Sequence, residues 1–205
     1  MRWLGFSSNA IDRRRFFKLM EPSREKLLKQ GIPAEKVEGF FDMIFHGTNS
    51  RIFNAPIDLF IEDHIYNTFP ELRPQQFLSL QYLENLAIQA VTDPNIISLT
   101  PAVIISKIKV YNTITARQFD DLYGTETEKN YPLSKQEKEH VEAFWIEFSE
   151  YRKDKEHGEE YELIENWGKD LELDQYFKLQ EEVLEKNGGS IQGGKKEILE
   201  DPESE

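Results

Sequence analysis

The sequence predicts an all-α protein, a multi-helix bundle or irregular helical array with an acidic helical C-terminal segment and a disordered tail. Three observations carry this. Prolines repeatedly stand where helices should start and glycines where they should end. Apolar residues recur at helical spacing through most of the chain. A β-branched run that would favour a strand occurs at one place only, with no second run to pair with it.

Asn9 is a suitable cap for IDRRRFFKLM, which Pro22 should halt; Ser23 then opens SREKLLKQ and Gly31 closes it. Pro33 fits the first turn of PAEKVEGFFDMIFHG, where Val37, Phe40, Phe41, Ile44 and Phe45 form an amphipathic stripe that Gly47 should end. GTNSRIFNA reads as a loop. Pro56 then opens PIDLFIEDHIYNTF, and Pro70 ends it. Pro74 begins PQQFLSLQYLENLAIQAVTD, apolar on most sides through Phe77, Leu78, Tyr82, Leu83, Leu86 and Val91. A helix of that kind is normally the most buried, so residues 74–92 are expected to be central, with Leu83 fully buried.

Asp93-Pro94-Asn95 stops that helix, and Thr100-Pro101 supplies a cap and first turn for AVIISKIKVYNTITARQFDDLYG. Ile104, Ile105, Ile108 and Val110 make a strand competitive here, but Ile104, Ile108 and Tyr111 also fit helical spacing, and a pairing strand is lacking. Ser134 and Glu137 form a capping box for SKQEKEHVEAFWIEFSEYRKDKE. Gly158 separates it from EEYELIENW, and Gly168 from a last helix, DLELDQYFKLQEEVLEK. From Asn187 onward, paired glycines and excess charge predict disorder. The expected division is a helical core domain over 1–125, an acidic helical segment over 126–186 that packs on it or projects from it, and a tail over 187–205.

Composition narrows the function classes. At 205 residues, 39% hydrophobic and 12% aromatic, the chain can bury a sizeable core. It contains no cysteine, which excludes disulfides, thiolate metal sites and thiol nucleophiles. The N-terminus lacks the apolar stretch of a signal peptide, no segment reaches membrane-span length, and Asn-x-Ser/Thr is absent, so a cytoplasmic protein without membrane partners is expected. The net charge of −13 is uneven: residues 1–120 carry 14 Lys+Arg against 13 Asp+Glu, residues 121–205 carry 11 against 25. That acidity has the wrong sign for a phosphate backbone, so no nucleic-acid partner is expected. Arg13-Arg14-Arg15 with Lys18 reads as a solvated helix face.

Catalytic motifs are missing: there is no phosphate loop, GxGxxG or GxSxG, and no catalytic residue is assigned. His140 and His157 fall among Glu and Lys at exposed helix positions, and His64, beside Phe60 and Ile61, reads as a core histidine. More suggestive is the pairing of Asp42 with His46 at i, i+4 on one helix, opposite its apolar stripe, and of Asp58 with Glu62 on the next. Two facing helices so equipped could meet at a hydrolytic metal site.

Residues 37–85, containing FFDMIFHGTNSRIFNAPIDLFIEDHIYNTFPELRPQQF, weakly resemble a zincin-type metallopeptidase domain from which the HExxH motif is absent. That resemblance implies His46 as the second histidine of the motif and Glu62 as the acidic third ligand. Asp42 stands at the first histidine's place and Met43 at the catalytic glutamate's, which implies a degenerate or truncated relative. Zinc is implied only on this alternative; otherwise no cofactor is expected.

The aromatic seam Phe144, Trp145, Phe148 and Tyr151 is the candidate partner-binding face, weighed against its use in the chain's own core. The reading preferred from the sequence is a non-enzymatic helical protein-interaction module whose partner is another protein. The metallopeptidase-like domain with a degenerate metal site is the alternative.

Overall fold

The computed structural model describes residues 3–7, 10–153 and 158–182, and it is all-α in its architecture. The helices are α1 (Ala10–Lys29), α2 (Ala34–Thr68), α3 (Arg73–Thr92), α4 (Pro94–Leu99), α5 (Ala102–Tyr123), α6 (Lys135–Tyr151) and α7 (Glu159–Asp170). One antiparallel ribbon joins β1 (Trp3–Ser7) to β2 (Lys178–Glu182), with Trp3 opposite Glu182 and Ser7 opposite Lys178. The expected tail over 187–205 lies outside the described residues, as does His157.

The central helix is α5, not α3. Ile104, Val110, Tyr111, Ile114, Ala116 and Phe119 are buried on it, and it touches α2, α3 and α6. Its lysines disguise this in the sequence. Lys107 runs its stem through the interior to donate to the Leu171 carbonyl. Lys109 pairs with Glu137 at 2.9 Å and donates to the Pro132 carbonyl at 3.0 Å. On α3, by contrast, the buried residues are Gln76, Glu84, Ala87 and Val91, while Leu83 is 51% exposed. The expectation of a buried Leu83 is therefore wrong: Gln76 and Glu84 turn inward with Ala87 and Val91, which leaves Leu83 on the outer side of α3.

The loop expected at GTNSRIFNA is also replaced. α2 runs through it for 35 residues, with Gly47 and Pro56 inside. The reason is a continuous stripe of buried positions, Val37, Phe41, Phe45, Thr48, Ile52, Ala55 and Leu59, spaced three or four apart. Thr48 fits a core stripe because its hydroxyl donates to the Ile44 carbonyl at 2.8 Å. Tertiary burial along the stripe outweighs the local cost of Gly, Asn and Pro. Similarly, α1 continues through Pro22, whose exposed position leaves the unbonded carbonyl one turn back near water.

Other boundaries fall where expected. Gly31 and Gly124 follow α1 and α5 with φ of 79° and 66°. The Ser134 hydroxyl accepts from the Glu137 N–H at 3.3 Å, and the Glu137 carboxylate accepts from the Ser134 N–H at 2.7 Å. Thr100 does not cap α5; Pro101 holds the N-cap position.

The last predicted helix breaks. α7 closes with Glu172 N–H on the Lys169 carbonyl (2.8 Å) and Leu173 N–H on the Gly168 carbonyl (2.7 Å), around a left-handed Glu172 at φ 53°. Leu173, Tyr176 and Phe177 then enter the core, where Phe177 stacks on Phe45 at 5.2 Å, and the chain continues into β2. Helix spacing in DLELDQYFKLQ thus yields to non-local packing and strand pairing.

Residues of 126–186 share one apolar cluster with α1 and α2. Phe144 stacks flat on Trp167 at 4.6 Å, and Phe148 meets Phe60 at 5.2 Å. Ile114→Ala, at the fully buried centre of α5, should lower unfolding free energy by about 2–5 kcal/mol. Ile146→Ala, on the outer face of α6, should change it by less than about 0.5 kcal/mol. Denaturant melts of the two variants check the placement.

Candidate functional site

While one face of α2 is buried, another carries Gly39, Met43, Gly47, Ser50, Asn54 and Asp58, all exposed. Opposite stands α3, whose exposed apolar residues are Leu78 (63%), Tyr82 (64%), Leu83 (51%) and Leu86 (45%). Between the two helices lies a groove of about 560 Å³, with Ile105, Ile108 and Asn112 of α5 on its lining and Ile96 of α4 beside them. Its size is that of a specific ligand or side-chain-cluster pocket.

A polar network fixes α3 behind this groove. Glu84 is buried and accepts from the hydroxyls of Thr115 (2.8 Å) and Tyr131 (2.9 Å). Asn112 donates to the Ala87 carbonyl at 3.1 Å and accepts from Arg51 Nε at 2.7 Å. At the far end of α3, Gln76 donates to the Glu62 carboxylate (2.6 Å) and carbonyl (2.8 Å) and accepts from Tyr123 at 2.7 Å. Both ends of α3 are thus pinned by its polar side chains, which leaves its leucines outward. Burial pushes the Glu84 carboxyl up, against hydrogen bonds from Thr115 and Tyr131 and the attraction of Arg51.

The proposed metal residues do not converge. Asp42, His46, Asp58 and Glu62 lie along the single helix α2, not on two facing ones. His46 and Glu62 are 16 positions apart, about 24 Å along the axis, whereas two ligands of one zinc lie within about 4 Å. Each has other company. Asp42 accepts from the Arg13 guanidinium, and Glu62 from Gln76. His46 is exposed with its ring edge on Phe45 at 5.5 Å. Asp58 is exposed as a residue, yet partial desolvation at the groove wall, against the pull of Arg51 and together with Glu62, raises its carboxyl. Among the described residues, no three His, Asp or Glu side chains are grouped to hold a metal ion.

The aromatic seam is a core seam. Phe144 and Phe148 are fully buried, and Trp145 and Tyr151 are half-buried against the same cluster. His64 is exposed, not in the core; the buried residue there is Asp63, which pairs with Arg152 and accepts from Gln118 at 3.0 Å. No described helix is long and apolar enough to cross a membrane.

The groove escaped the sequence reading, although one signal for it was present: between Pro74 and Thr92 the only charged residue is Glu84. In a chain that is 31% charged, a 19-residue surface helix without an exposed charge stands out from the rest of the surface.

Zinc titrations of wild type and His46→Ala should give the same affinity; clear weakening in the variant would restore a metal role for α2. Because the folded pKa of Glu84 is raised, its contribution to stability is full below the unfolded value of about 4.3 and is lost as pH rises through the folded pKa. Glu84→Gln removes that titration, so its stability relative to wild type should increase from pH 4 towards neutrality; a pH-independent difference would contradict the burial of a charged carboxylate. Compared with family models, curated protein sequences and solved structures, the chain matches none.

Proposed function

We propose that this chain is a non-enzymatic helical module that binds protein through the groove between α2 and α3. The observation that carries the reading is the uncharged outer face of α3, with Leu78, Tyr82, Leu83 and Leu86 each more than two-fifths exposed, and with Leu83 and Leu86 lining a preformed groove. Apolar patches of this kind mark interaction sites on folded proteins. The pinning of α3 by Glu84, Asn112 and Gln76 keeps the exposed face ordered before binding, which lowers the entropic cost of association.

The test compares wild type with Leu83→Glu, which places a charge in the middle of the exposed face without touching the core. Protein association measured by affinity capture should fall at least about tenfold, and hydrogen exchange of α3 should be slowed in the bound wild type. Equal capture by both proteins, or no protection of α3, would contradict the reading.

A further inference from the structure

We propose that the occupant of the groove is a second copy of this chain, with α3 of each copy laid into the α2/α3 groove of the other around a two-fold axis. This rests on the protein-binding reading of the groove. A two-fold interface must be self-complementary, because the same patch serves both partners. Here the protrusions and the recess lie on one face. Leu78, Tyr82, Leu83 and Leu86 project from α3, while Gly47 leaves a gap in the opposite wall.

Gly47 needs an explanation that the single chain does not supply. It sits inside α2, its backbone is not left-handed, and a Cβ built on it meets nothing within 4 Å. A glycine there costs the helix about 1 kcal/mol relative to alanine, with no internal contact in return. Close approach of a second helix to the α2 backbone is the circumstance that makes a missing side chain useful.

Charge permits the same partner. Two copies with a net charge of −13 each repel where carboxylates oppose across an interface, at several kcal/mol, so the face that each inserts must lack them, and α3 does; Asp58 on the α2 wall lies beside Arg51. The exposed polar residues of α3 are Gln75, Ser79, Gln81, Asn85, Gln89 and Thr92, all neutral. Size is adequate as well. Burying Met43 and the four exposed apolar residues of α3 on both copies, at roughly 100 Å² each, removes on the order of 1,000 Å², the threshold of a specific interface.

Sedimentation velocity of the purified full chain over a range of micromolar concentrations tests this. Wild type should show twice the mass of the chain. Leu83→Glu should weaken the dimer by at least about a hundredfold. Gly47→Leu is the second variant: leucine is the better helix former and meets open space, so the monomer should fold at least as well while the filled recess abolishes dimerisation. A wild type that stays monomeric throughout overturns the proposal, as does a dimer that both variants leave intact. The first outcome leaves the protein-binding reading to stand or fall on the capture experiment, because a groove used by a different protein still loses that protein with Leu83→Glu.

Discussion

The buried stripe of α2, from Val37 through Phe41, Phe45, Thr48 and Ile52 to Leu59, holds 35 residues in one helix despite the glycine and proline within it. Each of those side chains removes apolar surface from water, at about 1.5–3 kcal/mol for a Val, Leu, Ile or Phe. Against this stand about 1 kcal/mol for Gly47 and about 3 kcal/mol for Pro56. The stripe wins, and much follows from it. α2 meets α1, α5 and α7 along its length, so α5 can lie across the middle of the molecule and α7 can bring Trp167 onto Phe144. The opposite face of the same helix becomes one wall of the groove.

That continuity also decides which chemistry α2 can perform. Asp42 and His46 share one face at one end, and Asp58 and Glu62 share one at the other. In a hairpin of two helices these pairs could face each other. In one helix the axial rise keeps them apart, and each acid finds a hydrogen bond or a cation nearby: Asp42 with Arg13, Glu62 with Gln76, Asp58 with Arg51. Polar residues with metal-ligand spacing thereby become supports for neighbouring elements.

The parts of the fold legible in the sequence are those governed by local rules. The Ser134/Glu137 box, the glycines after α1 and α5 and the helical pattern of most elements need only neighbouring residues to act. What escaped depends on partners far along the chain. Gly47, Asn49, Ser50 and Pro56 spell a loop locally, and only the registration of Thr48 and Ile52 with the flanking stripe shows otherwise. α5 carries Lys107 and Lys109, whose ammonium groups reach Leu171 and Glu137 in other elements, so its burial is hidden from hydropathy. For α3 the error runs the other way: its leucines resemble a core, yet Gln76 and Glu84 are the residues that turn inward. The groove was legible only as an absence of exposed charge between Pro74 and Thr92, a signal distinct from periodicity.

The absence of cysteine makes the continuity of α2 directly measurable, because spin labels can be placed at will. Lys36→Cys and Ile61→Cys put labels on exposed positions 25 residues apart in α2, and the doubly labelled chain, diluted in unlabelled protein, reports their separation by pulsed electron resonance. An unbroken helix predicts one narrow distribution centred near about 37 Å, broadened by the label arms. A short separation within about 20 Å, as in two helices packed side by side around a loop at 47–55, would contradict the account.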